Sequence, residues 1–317
     1  PMEHSSVVHG QWDAMERVWE HTFESLHAQV EDHPALLTEV PLNPRRNRDQ
    51  TAEMFFETFR SPALYFAPPS VLSLYASGRT TGVVLDVGEG SMHCVPVYEG
   101  HALQHSVTRS NIGGRDVTAQ LQLLLRRSGM VFSTTAEAEM VKTMKEETGY
   151  VLTTASNNTN TSNSSTTNKD ESTAEKDSKT QYQLPDGQAV SLSTERYEAP
   201  EILFTPSLIG SEEDGAANVL VNSIMKSDLD LRSTLFSQIV LAGGSTLFYG
   251  FGDRMLQEVR SRSPAHTRIR ISAPPERIYS SYVGGSILAS LATFKSMWMT
   301  RAEFEEQGTA ALHRHNL

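Results

Sequence analysis

Four short stretches of this chain set chemically useful groups beside glycine. Asp86, Val87, Gly88, Glu89 and Gly90 link an apolar run from Thr81 to Leu85 with a second run that carries Val95, Val97 and Tyr98. The spacing predicts a hairpin with its turn at 86–90. Glycines in such a turn let successive backbone N–H groups aim at one anion, and the neighbouring carboxylate can hold a magnesium ion through water. An acidic glycine-rich hairpin turn is also common with no ligand at all, so the residues alone leave both readings open. Gly113 and Gly114 precede Arg115 and Asp116 at the head of a helix over 115–127. Gly243 and Gly244 follow Ile239, Val240 and Leu241 and precede a helix over 251–259. A fourth pair, Gly284 and Gly285, follows Tyr282 and Val283, which reads as a strand leading into a helix over 286–294. Paired glycines admit close approach either by a ligand or by packed backbone. The sites at 88–90, 113–114 and 243–244 are expected to meet in one cleft.

The elements that must position them alternate. Trp12, Met15, Trp19 and Phe23 recur at helical spacing and predict an amphipathic helix. Ala35 to Val40 reads as a buried strand. Asn43 is expected to cap a helix started by Pro44 and carrying Met54, Phe55 and Phe59. Ala63 to Ala67 is a second short strand, followed after Pro68 and Pro69 by a helix over 70–76 that stops at Gly78. Thr134 and Glu137 make a capping box for a further helix. Pro185, Asp186 and Gly187 predict a turn between strands. Such alternation predicts a layered α/β body.

Composition narrows the function. The chain has 317 residues, with 27 Lys plus Arg against 38 Asp plus Glu and a net charge of −11. That balance argues against a nucleic-acid binder, which needs clustered cation. The single cysteine, Cys94, excludes an internal disulfide and a multi-cysteine zinc site. The apolar run from Tyr282 to Phe294 is too short to span a bilayer. From 153 to 180 the chain is almost wholly polar and is expected to form a disordered surface insertion. Its sequons at Asn157, Asn160 and Asn163 read as an accident of that composition. At this length a bilobed body with a cleft is expected, and the opening at Pro1 reads as a cut or processed end.

Long collinear strings carry a family resemblance. LLTEVPLNP, LSLYASGRTTGVVLD, YEGHAL, GGRD, LPDG and APPERIYSSYVGGSILASLATF resemble the actin family, and the likeness covers nearly the whole chain outside the polar insertion. DLDLRSTLFSQIVLAGGSTLFYGFGDRMLQEV and IRISAPPER resemble most the branch of actin-related proteins that builds the short filament of dynactin. His313 and Arg314 suit an actin-type tail. The resemblance implies an actin-like (ribonuclease H-like) bilobed α/β fold with ATP or ADP and Mg2+ in a central cleft. The first lobe would comprise 1–76 and 280–317, the second 77–279. It gives Asp86 to the magnesium hydration shell and the amides of Gly88, Glu89, Gly90 and Ser91 to the phosphates. Gly114, Lys145 and Glu146 fall where the family meets adenosine. Gly243, Gly244, Leu247 and Phe248 fall where it packs against ribose and base. His93 falls where the family orients the attacking water; its alternative reading is a histidine paired inside a polar core. Lys145 and Glu146 otherwise read as solvated helix charges. The implied partners are other actin-like subunits, dynactin and dynein-associated proteins, in the cytoplasmic cytoskeleton.

Several positions depart from the family pattern. Pro69 stands at the family's water-contacting glutamine and Pro68 at its neighbour, and proline offers no side-chain donor or acceptor. Val87 replaces a phosphate-facing serine, Glu89 an aspartate, and Ile278 a lysine near the base. The chain begins after the family's first phosphate hairpin and first magnesium-linked aspartate, so a fragment of a longer protein and a weak nucleotide binder both remain open. The expected role is a structural filament subunit with little ATPase activity, rather than an enzyme.

Overall fold

The structure, a computed structural model, describes residues 2–3, 6–8, 10–153, 180–185 and 187–313. The expected disorder of the polar insertion, its three sequons, and the readings at Pro1, Asp186 and Arg314 lie outside those residues. Among the described residues no helix is long and apolar enough to cross a membrane.

The chain opens with a two-stranded ribbon, β1 (Met2–Glu3) and β2 (Ser6–Val7), and helix α1 (Trp12–Leu26). Strand β3 (Ala35–Thr38) leads to α2 (Arg45–Glu53), which widens into a π turn over Met54–Thr58. The Phe59 N–H reaches back five residues to Met54 O at 3.0 Å, and that widened turn lets the adjacent Phe55 and Phe56 both point inward. Pro44, not Asn43, is the N-cap of α2. The Asn43 side chain instead donates to Glu39 Oε1 at 2.8 Å and accepts from Ser6 Oγ at 2.9 Å. Strand β4 (Ala63–Ala67) runs parallel to β3, and α3 (Pro69–Ala76) follows with Pro69 in its first turn, where a missing N–H costs nothing.

A second sheet is built from β5 (Gly82–Val87), β6 (Met92–Tyr98), β7 (His101–Ala102) and β8 (Thr108–Ser110). Later come β11 (Ile239–Ala242) and β12 (Ile271–Ser272), giving the order β12-β11-β5-β6-β7 with β8 also on β6. Strands β5 and β6 are antiparallel, whereas β5, β11 and β12 are parallel. Around this sheet lie α4 (Gly114–Arg127), α5 (Thr135–Thr148), α6 (Glu195–Glu201), α7 (Ala216–Lys226), α8 (Leu229–Ser237) and α9 (Phe251–Arg262). The predicted Thr134–Glu137 capping box is present. The antiparallel pair β9 (Thr180–Gln183) and β10 (Ala189–Leu192) projects beside them.

Tyr282 and Val283 are helical, contrary to the strand expected there. They lie in one continuous helix, α10 (Ser280–Ser290), with Gly284 and Gly285 in its middle, followed by a 3-10 turn at Ala292–Ser296. Gly284 lies against the Leu72 backbone so closely that a Cβ there would overlap the Leu72 carbonyl. Gly284 therefore serves the helix-on-helix approach of α10 to α3, reinforced by Ser280 Oγ donating to Ser73 Oγ at 2.8 Å. The chain closes with β13 (Met299–Thr300), paired with β4 in a three-stranded sheet, and α11 (Arg301–Gln307).

Two large apolar clusters result. One surrounds Leu85, Leu125, Met144, Ile224 and Phe251; the other surrounds Phe55, Phe56, Leu64 and Phe304, and α3 and α10 pack between them. The borders of the polar insertion are tied to the first. Arg254 donates to Leu152 O at 2.7 Å and pairs with Glu201 and Glu258, while Arg196 donates to both Thr148 O and Thr180 Oγ1.

Candidate phosphate-binding site

Parallel register brings the glycine stretches at 86–90 and 243–244 together. Asp86 sits opposite Ala242 on β11, so the residue after β11, Gly243, lies beside the end of β5. Gly243 has φ 86° and ψ 150°, a backbone region open essentially to glycine. A Cβ there would stand 2.5 Å from Asp86 Oδ1 and closer still to Val87 O. Gly244 differs: its nearest neighbour would be Ile278 Cδ1 at 3.5 Å, ordinary contact, so only one member of the pair requires glycine.

Asp86 lies on β5 itself, paired with His93, and the turn proper runs from Gly88 to Ser91. Gly88 donates its N–H to Ser91 O at 3.0 Å, so this amide is engaged within the turn rather than held out to a ligand. The turn's carbonyls are fixed from outside. Gly114 N–H and Ser245 Oγ each donate to Gly88 O at 2.9 Å, and Arg115 N–H donates to Glu89 O at 2.8 Å. Asp116 Oδ2 accepts from the Gly113 N–H at 2.8 Å and completes the start of α4. The positive end of a 14-residue helix thus faces the turn.

Gly114 lies among charges. A Cβ on it would stand 2.5 Å from Glu89 Oε2, 2.8 Å from Ser245 Oγ and 3.4 Å from Lys145 Nζ. Lys145 is buried at 4% exposure, contrary to the solvated-helix reading. Its ammonium donates to Gly114 O and Thr118 Oγ1, both at 3.0 Å, and faces Glu89 at 3.7 Å. Burial pushes its pKa down, opposed by Glu89 and Glu146. Glu146 is exposed.

His93 Nε2 stands 3.6 Å from Asp86 Oδ2, and neither ring nitrogen has a hydrogen-bond partner although the residue is buried. The contact with Asp86 is an ion-pair distance without a hydrogen bond, so a histidine paired inside a polar core and a water-orienting ring both fit this geometry. Burial pushes the imidazole pKa below its ordinary value, with Asp86 opposing and Arg109 adding to the depression. A neutral ring with two unpaired nitrogens beside a carboxylate can hold and orient a water molecule. Cys94, next in the strand, is inert by comparison: it is buried, and its thiol is pushed up to about 12.

Leu247 and Phe248 divide. Leu247 is exposed, whereas Phe248 is buried and stacks over Gly149, where a Cβ would meet its ring at 2.7 Å. All the converging glycines come from residues 88–243. Elsewhere Glu39, Arg48 and Pro68 line a cavity of about 510 Å³ together with Val95, His101 and Gln104. Ser245 and Thr118 were not expected; a hydroxyl directly after the Gly243–Gly244 pair was the available signal for the first, whereas Thr118 depends on Lys145 turning inward.

Three features fit a phosphate-bearing group near this turn: a glycine-only backbone at Gly243 packed on Asp86 and Val87, a buried His93 whose two ring nitrogens lack hydrogen-bond partners, and a helix start whose first N–H groups brace the turn's carbonyls. Among the described residues no cluster of three or more His, Cys, Asp or Glu could hold a metal ion. A family profile described as "Actin" matches residues 1–316. The "Actin-like protein" of Neurospora crassa is 50% identical over 309 residues, which cover 96% of this chain and 78% of that protein.

Proposed function

The chain belongs to the actin family, and we propose that it is a cytoskeletal filament subunit of the centractin kind, a nucleotide-holding building block with little hydrolysis. Proteins of the family bind nucleotide with Mg2+. Bound Mg-ATP would supply a polyphosphate and a divalent charge. Here Asp86 would hold the cation's water shell, and the turn at Gly88 to Ser91 would receive the phosphates. Lys145 would fix the floor of the site by tying Gly114 to Glu89. One observation carries the reading: Gly243 packs on Asp86 and Val87 with no room for a side chain, which joins the two strand ends into a single cradle.

Low hydrolysis is supported by Pro68 and Pro69 at the start of α3, which leave no side-chain donor or acceptor where the family positions water. An in-line water held by His93 alone loses much of the positioning on which phosphoryl transfer depends. The dynactin-type filament, its dynein-associated partners and the cytoplasmic location follow from the likeness of 228–259 to that branch. Negative-stain microscopy of purified protein with ATP, together with co-purification and mass spectrometry, tests the proposal. Short filaments and recovered dynactin subunits are expected. Isolated particles bound to chromatin-complex proteins, or long conventional filaments with fast single-turnover hydrolysis, would replace it.

A further inference from the structure

At the opposite end of the same strands lies a second concave surface. β5 begins at Gly82 and reaches the phosphate turn after Val87, and β11 begins at Ile239 and ends beside Gly243. A strand of that length separates the two ends by roughly 17 Å. The far end opens into a cavity of about 420 Å³ lined by Arg79, Ser233, Thr234, Ser237, Gln238, Arg268 and Arg270, with no carboxylate in its lining.

The three arginines arrive from separate parts of the fold. Arg79 follows α3, on the turn into β5. Arg268 and Arg270 lie on the extended approach to β12, two residues apart and so on one face, while Ile269 between them packs into the core. In a chain of net charge −11 such cations ordinarily find carboxylates. None of these three guanidinium groups makes a hydrogen bond or ion pair with another described residue.

Helix capping does not explain them. The final carbonyls of α8 are already satisfied: Thr234 O by Ser237 Oγ at 2.8 Å, Leu235 O by the Gln238 N–H at 3.1 Å, and Phe236 O by the Arg270 N–H at 3.1 Å. Three like charges held around one hollow repel one another, and a multivalent anion is what converts that repulsion into binding. Guanidinium forks match phosphate oxygens bidentately, and the hydroxyls of Ser233 and Thr234 add neutral donors.

We propose that this cavity is an anion site for a phosphate group, separate from the site at Asp86 and Gly243. Arginine footprinting tests it with the intact protein. Phenylglyoxal adducts at Arg79, Arg268, Arg270 and the exposed reference Arg17 are timed by peptide mass spectrometry. Millimolar pyrophosphate should slow the three cavity arginines at least about fivefold through charge-assisted contacts while leaving Arg17 unchanged. Potassium chloride at matched ionic strength should not. Arg270→Gln, confirmed as folded by circular dichroism, should abolish protection at Arg79 and Arg268 as well, because one ligand is shared. Phosphatidylcholine vesicles with and without a phosphatidylinositol bisphosphate separate the sources: protection by the doped vesicles alone assigns a lipid headgroup, and protection by free pyrophosphate a soluble ligand. The proposal is overturned if the cavity arginines keep pace with Arg17 in every arm, or if chloride protects as well as pyrophosphate.

Discussion

Replacing Gly243 with alanine separates the strain of the cradle from the general effect of filling a glycine. The parent backbone sits at φ 86° and ψ 150°, and holding a non-glycine residue in that region costs about 1–3 kcal/mol. The added methyl would also stand 2.5 Å from Asp86 Oδ1 and nearer to Val87 O. Val87 is itself fully buried and cannot retreat freely, so overpacking adds about 1–3 kcal/mol. The sum is about 4 kcal/mol. For a lobe of roughly 200 residues, at about 2–4 °C per kcal/mol, that lowers the melting temperature by roughly 10 °C. Gly244→Ala is the matched control, because its nearest neighbour would be Ile278 Cδ1 at 3.5 Å, and it should change stability by no more than about 1 kcal/mol. Scanning calorimetry of the two variants beside the parent gives the comparison, and ATP titration should show lost affinity for Gly243→Ala alone. Equal melting temperatures for the two variants would refute the cradle argument.

The α3–α10 contact yields the same kind of contrast: Gly284→Ala collides with the Leu72 carbonyl and should abolish soluble expression. Gly285→Ala, with its nearest neighbour at 3.5 Å, should melt at or slightly above the parent. His93 gives a pH signature. Its folded pKa lies below the unfolded value, so as pH falls the unfolded chain takes up the proton first. The His93 contribution is intact above about pH 6.5 and is lost below it by up to about 1.4 kcal/mol per pH unit, until the folded pKa is reached. His93→Asn should flatten that part of the stability profile in urea titrations from pH 7.5 to 5; an unchanged slope counts against a neutral buried ring. Pro69→Gln restores a polar side chain at the start of α3 and should raise single-turnover ATP hydrolysis about tenfold or more. No increase would show that the missing side chain is not what limits the rate.

What the sequence made legible was mostly local. Ala63–Ala67 is a strand with the expected bounds, because flanking turns and proline fix both ends. The box at Thr134 and Glu137 needs only three residues of spacing. Misreadings arose where a distant partner decides. Tyr282, Val283, Gly284 and Gly285 look like a strand entering a glycine turn, and only the Leu72 backbone across the helix pair explains Gly284 inside a helix. Lys145 reads as a surface charge until α4 supplies Gly114 O and Thr118 Oγ1 to receive it. The convergence at Asp86 and Gly243 was anticipated from glycine spacing alone, and register supplies its physical reason, since β5 and β11 are immediate neighbours.

Two arginines anchor the borders of the polar insertion. Arg196 holds Thr148 O and Thr180 Oγ1 at once, and Arg254 clasps Leu152 O, so each flank has its own tie to the body. Each doubling of a flexible loop adds only about 0.6 kcal/mol of closure cost. An affinity tag or a fluorescent reporter exchanged for residues between Leu152 and Thr180 is therefore expected to leave these ties in place, with an unchanged melting temperature as the check.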